Sequence, residues 1–170
     1  IQVLEAHDGT LHAVVHDFRE GPGGYRGRLW EVYYASRPPG GEWTKPRLIV
    51  PGYIGSIRGF VQLKAGRLVL AVARAIPERM EAPQSGPDLG WHSTFVYFSD
   101  DAGATFAPPV RVAALPSLML GRRRGPRIAA HGDTVLITAM AGELFAFHSK
   151  DAGKSWRGPV LINDVPRSAR

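Results

Sequence analysis

Apolar and polar residues alternate in short runs along the chain, and no apolar stretch keeps a helical period for a useful length. STFVYFS (93–99) and ELFAFHS (143–149) show the two-residue period of half-buried strands, and each gives way to a polar, glycine-bearing stretch. Shorter runs follow those stretches: RLIV (47–50), VRVA (110–113) and VLIN (160–163). Three longer segments, QVLEAHDGTLHAVVHDF, GFVQLKAGRLVLAVARA and RIAAHGDTVLITAM, each read as two strands about a tight turn, at Asp8-Gly9, Ala65-Gly66 and Gly132-Asp133. The pattern predicts an all-β chain built from units of four short strands, A to D.

The polar stretches repeat. SDDAGATF (Ser99 to Phe106) and SKDAGKSW (Ser149 to Trp156) agree as Ser-x-Asp-x-Gly-x-hydroxyl-aromatic, and each is followed three residues later by a proline, Pro109 or Pro159. The same frame laid upstream gives a decayed copy, Ser36-x-Pro38-x-Gly40-x-Glu42-Trp43, followed by Pro46. Ser99 and Ser149 are 50 residues apart and Ser36 and Ser99 are 63 apart, the excess falling on the insertion PERMEAPQSGPDLGW between strands B and C of the second unit. A four-stranded unit at a period of about 50 residues is the signature of β-propeller blades, which must stack because no blade buries both faces alone. The expected organisation is one propeller segment of three four-stranded antiparallel blades, at 1–50, 51–113 and 114–170. Three blades do not close a ring, so the segment is expected to meet the remaining blades of a parent chain or a second copy.

Each component of the stretch has a physical task in a C–D turn. The carboxylate of Asp101 or Asp151 accepts hydrogen bonds, Gly103 or Gly153 takes φ > 0, and the hydroxyls of Ser99, Thr105, Ser149 and Ser155 cap other groups. Phe106 or Trp156 then folds back as filling between blades. These two stretches resemble the Asp box, S-x-D-x-G-x-T-W, of sialidases and related BNR-repeat proteins. The resemblance implies a sialidase-like β-propeller, six-bladed in the parent, and a secreted or periplasmic protein whose ligand is a glycan or glycoconjugate. Two functions follow from it: exo-acting glycoside hydrolysis of acidic, sialic-acid-type sugars, or a non-catalytic Asp-box propeller that binds glycan or protein.

Composition narrows the picture. Gly 20 and Pro 14 fit a turn-rich β chain, and Cys 0 removes disulfides and thiolate metal sites. No run approaches the ~20 apolar residues of a membrane span, and no signal peptide is visible in this segment, which opens on IQVLEAH. The net charge of +6 suits an anionic ligand or a solvated basic surface. Arg122-Arg123-Arg124, without interleaved aromatics, is a weak nucleic-acid signal that reads as a solvated loop, and no nucleic-acid partner is expected. His12 and His16 share a strand face, roughly 13 Å apart by strand rise, too far to hold one ion; no metal or cofactor is expected, with calcium at the aspartate-rich turns left open.

In an antiparallel blade the A–B turns and C–D boxes share one end, and the B–C and D–A connections share the other. The long connections (17–28, 50–58, 76–93, 113–127) lie at the second end, where function is expected. Sialidases use a tyrosine nucleophile backed by a glutamate, an aspartate acid/base, and arginines that clamp the substrate carboxylate. The resemblance implies Arg58, opening strand A of the second unit, as a carboxylate clamp and Asp88, in the insertion, as acid/base. RGF stands at 58–60 where the family has R-I-P. Tyr53 and Arg127 are further substrate-binding candidates at the same end. The alternatives are solvated or blade-pairing arginines, a packed tyrosine and a surface-loop aspartate.

Overall fold

A computed structural model describes residues 1–17, 30–53, 55–75, 92–115, 118–119 and 125–166. The strands form three four-stranded antiparallel sheets, each in simple chain order. Blade 1 holds β1 (Gln2–Glu5), β2 (Leu11–Asp17), β3 (Trp30–Arg37) and β4 (Arg47–Tyr53). Blade 2 holds β5 (Gly55–Gln62), β6 (Leu68–Ala75), β7 (His92–Ser99) and β8 (Val110–Ala114). Blade 3 holds β9 (Arg127–His131), β10 (Thr134–Met140), β11 (Leu144–Ser149) and β12 (Arg157–Leu161). The fold is thus the all-β stack of blades that the alternation implied. β5 packs against both β1 and β9, so the first strands of the blades lie side by side.

The middle blade explains why its sequence looks different from its neighbours'. All residues of β6 from Leu68 to Ala73 are fully buried, because both faces of this sheet are covered. Leu68, Leu70 and Val72 point toward blade 1 and meet Val14, Val32, Tyr34 and Phe60. Val69 and Ala71 point toward blade 3 and meet Val135, Ile137, Ala139 and Phe147. Full burial of each such Leu, Val or Phe side chain contributes roughly 1.5–3 kcal/mol, so the two inter-blade cores dominate the cohesion of the stack.

The two intact boxes fold alike. In the first, the Ser99 hydroxyl donates to Asp101 Oδ1 at 2.8 Å and accepts the Gly103 amide at 2.8 Å. Asp101 also accepts the Thr105 amide at 2.8 Å and the Thr105 hydroxyl at 2.6 Å. Ser149, Asp151, Gly153 and Ser155 repeat the pattern at 2.7, 2.8, 2.9 and 2.5 Å, and Trp156 Nε1 donates to Gly153 O at 3.1 Å. The carboxylates are solvent-exposed, so the turn is a closed set of side-chain and amide bonds in water. The Thr105 hydroxyl, its amide and the Ser99 hydroxyl together hold Asp101 down to about 2; the same set, led by the Ser155 hydroxyl, holds Asp151 well below the usual carboxylate range.

Glycine is required inside each box for two reasons. Gly103 and Gly153 have φ of +87° and +85°. A Cβ on Gly103 would sit 1.9 Å from the Tyr34 hydroxyl, and one on Gly153 would sit 2.5 Å from Phe98 Cζ, both in the preceding blade. Phe106 packs edge-on to Tyr34 with ring centroids 5.4 Å apart, and Trp156 joins the core between blades 2 and 3. The aromatic filling is as expected.

The structure corrects two expectations. Ser36 is not the counterpart of Ser99: Leu11 pairs with Arg37 while Leu68, at the same place after its hairpin, pairs with Ser99. Arg37 therefore occupies the box-serine position. From there to the fourth-strand residue that pairs with the position three before it is ten steps in blade 1 (Arg47, opposite Tyr34) but eleven in blades 2 and 3 (Val110 opposite Val96, Val160 opposite Ala146). With one residue fewer, blade 1 closes its connection differently: the Thr44 hydroxyl accepts the Ser36 amide at 2.9 Å, and the Thr44 amide donates to Ser36 O at 2.8 Å. The second correction concerns 50–58. β4 continues to Tyr53 and β5 begins at Gly55, because the residues from Gly55 to Ile57 pair with Val72 to Arg74 and Ile57 packs on the core between blades 1 and 2. Arg58 accordingly lies inside a strand instead of opening one.

Candidate functional site

The ends of β2, β4, β6 and β8 lie at the end of the blades opposite the boxes. In blade 2 the ladder brings one row of residues to that end: Gly55, Arg74, Ser93 and Ala114 are successive cross-strand partners in β5 to β8. Arg74 and Ser93 continue the alternation that turns Leu70, Val72, Phe95 and Tyr97 toward blade 1.

Arg74 is half-buried. Its guanidinium lies 4.4 Å over the Phe95 ring and Nη1 donates to the Tyr97 hydroxyl at 3.1 Å. Burial pushes the Tyr97 phenol up, and the Arg74 charge partly offsets that rise. Arg74 Nε, Ser93 Oγ and, on the reverse face, Thr94 Oγ1 are buried polar atoms with no hydrogen-bond partner among the described residues. Such an atom costs about 1–3 kcal/mol when left unsatisfied. Ser93 and Thr94 are fully buried, yet they sit at the start of β7, at the end of blade 2 opposite the boxes. Sequence inspection had not singled out Arg74, Ser93 or Tyr97. The available signal was the cation interrupting LVLAVARA, and only the strand register joins it to Ser93 and Tyr97.

The residues expected from sequence are distributed unevenly. Arg58 sits at a bulge in β5, where the register slips between Ile57 and Gly59, and is 7% exposed. A bulge re-aims a side chain relative to the pleat. One of its terminal nitrogens donates to Ser56 Oγ. Arg127 opens β9 and is exposed; its Nη1 donates to Gly125 O at 3.2 Å and Pro126 O at 3.1 Å, turning the guanidinium back on its own backbone. Tyr53 ends β4 opposite Trp30, with its side chain outside the described residues. Asp88 lies outside the described residues altogether.

A tyrosine–glutamate pair does occur, at a place the sequence reading did not consider. The Tyr33 hydroxyl donates to Glu31 Oε2 at 3.1 Å, with both side chains buried. Being two apart on β3, they share the face of blade 1 turned away from Val32, Tyr34 and blade 2. The structure does not bring them to Arg74 or Ser93.

Comparison with solved structures places this architecture. The NanB sialidase of Streptococcus pneumoniae superposes with a TM-score of 0.56 at 15% identity over 81% of this chain and 20% of that one. The fold is that of a sialidase-like β-propeller. The Hadza microbial sialidase Hz136 gives a TM-score of 0.57 at 16% identity, covering 91% of this chain and 32% of that one. A polysaccharide lyase, the PL25 ulvan lyase, gives 0.59 at 12% identity over 96% and 41%. The chain therefore spans well under half of each of these proteins. No protein-family model and no curated protein matches the sequence. Among the described residues no helix is long and apolar enough to cross a membrane, and no group of His, Cys, Asp and Glu could hold a metal ion.

Proposed function

We propose that the end of blade 2 opposite the boxes binds an acidic glycan and that the propeller hydrolyses it in the manner of an exo-sialidase. The observation that carries this reading is the row at that end: half-buried Arg74 and fully buried Ser93 hold polar atoms that no described residue satisfies. A sugar bearing a carboxylate supplies the missing acceptors and donors in one ligand. The solved neighbours include two sialidases and an ulvan lyase by their names, which supports a glycan as the ligand class. A secreted or periplasmic location fits such a ligand. In this reading Arg58 and Arg74 bind the carboxylate and Asp88 protonates the leaving oxygen.

One observation favours a second reading, a glycan-binding propeller without catalysis: Arg58 is buried and bonded to Ser56. A fluorogenic sialoside assay separates the two. If the protein hydrolyses it, Asp88→Asn lowers kcat about 100-fold or more while Arg58→Lys, which keeps charge but loses the bidentate fork, raises KM about 10-fold. Sialic-acid binding without turnover, abolished by Arg74→Gln, establishes the second reading. Neither binding nor turnover between pH 4 and 8 rejects both.

A further inference from the structure

The box end of the molecule carries an opening of its own. Because the blade 1 connection is one residue short, it leaves a cleft of about 360 Å³ between itself and the first intact box. Tyr34, Ser36 and Thr44 border it from blade 1, the backbone of Ala102 to Ala104 borders it from blade 2, and Lys45 and Arg47 complete the lining. That volume is at the small end of ligand sites, enough for one sugar unit.

Its charge is one-sided. Arg47 lies 5.0 Å over the Tyr34 ring and 5.9 Å over the Phe106 ring, and Nη2 donates to Gly103 O. No carboxylate pairs with it among the described residues. At the junction between blades 2 and 3, by contrast, the arginine that reaches the box, Arg67 of the β5–β6 turn, is met by both oxygens of Asp100 at 2.6 and 2.8 Å. Lys45 is exposed and also makes no ion pair among the described residues. The nearby Asp101 carboxylate is engaged by Ser99 and Thr105 within its own turn. A guanidinium fixed on two aromatic rings keeps a fork of donors in one orientation, and a lysine two residues away adds a mobile cation.

We propose that this cleft is a second ligand site, distinct from the opposite end of the blades, which takes a sulfate or carboxylate group carried on a sugar. Arg47 and Lys45 bind the anionic group, and the hydroxyls of Ser36 and Thr44 face the ring of the same sugar. The inference does not depend on glycan binding at the other end.

Calorimetric titration of the protein with glucose 6-sulfate, glucuronate and inorganic sulfate tests it. At least one of the two sugars binds, more tightly than inorganic sulfate, and affinity falls as salt is raised. Lys45→Glu, at an exposed position, weakens binding about 3- to 10-fold without lowering the melting temperature. Lys150→Glu, the same charge change on the exposed box of blade 3, leaves affinity unchanged. Arg47→Gln weakens binding further, but its contacts with Tyr34 and Phe106 make Lys45 the deciding position. No binding of either sugar, equal affinity for inorganic sulfate, or an equal loss in the Lys45 and Lys150 variants would each overturn the proposal.

Discussion

The alanine carbonyl of each box meets a phenol between blades 1 and 2 and a guanidinium between blades 2 and 3. At the first junction the Tyr34 hydroxyl donates to Ala102 O at 3.2 Å and is backed by buried His12, 2.6 Å from its Nδ1. Burial lowers the affinity of His12 for a proton and raises the pKa of Tyr34, so both are neutral there at pH 7. At the second junction Arg67 Nη1 donates to Ala152 O at 2.8 Å, with Asp100 neutralising it on the exposed side. The two acceptors are the same atom of the repeat. Ala102 and Ala152 are non-glycine residues at positive φ, 52° and 57°, and that geometry presents the carbonyl to the preceding blade. What the repeat holds constant is the acceptor; the donor changes with the neighbour.

The largest effect on this comparison is expected from closing the space beneath the boxes. Gly103→Ala and Gly153→Ala each add left-handed strain and a steric overlap, together about 2–4 kcal/mol in urea or thermal unfolding. Gly103→Ala should be the worse, since the overlap displaces the hydroxyl that binds both Ala102 and His12. Equal losses would mean the phenol is no more constrained than the Phe98 ring.

Replacing the donors comes next. Tyr34→Phe strands a buried imidazole nitrogen and the Ala102 carbonyl, costing about 1–3 kcal/mol. Arg67→Ala should cost only about 1 kcal/mol, because Asp100 is 64% exposed and an ion pair so close to water contributes little. High salt should shrink the Arg67 effect and spare the Tyr34 effect.

Acid titration tests what the junctions share. Because the folded pKa of Asp101 (about 2) lies below the roughly 3.9 of an unfolded aspartate, its contribution is fully present above pH ~4 and is lost as pH falls through about 2. Asp151 behaves likewise, with the loss extending lower. Melting temperature should therefore drop below pH 4, and an Asp101→Asn, Asp151→Asn double variant should show a flatter acid limb from a lower starting point. The smallest change is a gain: Ala102→Gly or Ala152→Gly relieves the positive φ and should stabilise by about 0.5 kcal/mol after the added unfolded-state entropy.

Much of this architecture was legible in the sequence, and particular residues show where legibility stopped. The strands and boxes could be read because alternation and turn chemistry are local. The frame at Ser36 misled because Trp43 and Pro46 keep their places while one residue is missing before them, and a serine happens to stand where the shortened frame wants one. The association of Arg74 with Ser93 and Tyr97 depends on a pairing across the 76–91 insertion, which no local pattern carries. Arg58 was expected to open a strand; it sits at a bulge in a strand that begins three residues earlier, at Gly55.

The direction of the junction bonds has a consequence for how such a molecule grows. Each box offers its carbonyl backward, and the residue that grips it belongs to the earlier blade. A box that loses this carbonyl geometry is therefore felt upstream, in the blade that supplies the donor. Duplicating one sheet by itself would separate every clasp from its buckle, whereas a copy running from the middle of one blade to the middle of the next would carry a complete fastening. The inherited unit of this propeller is the seam.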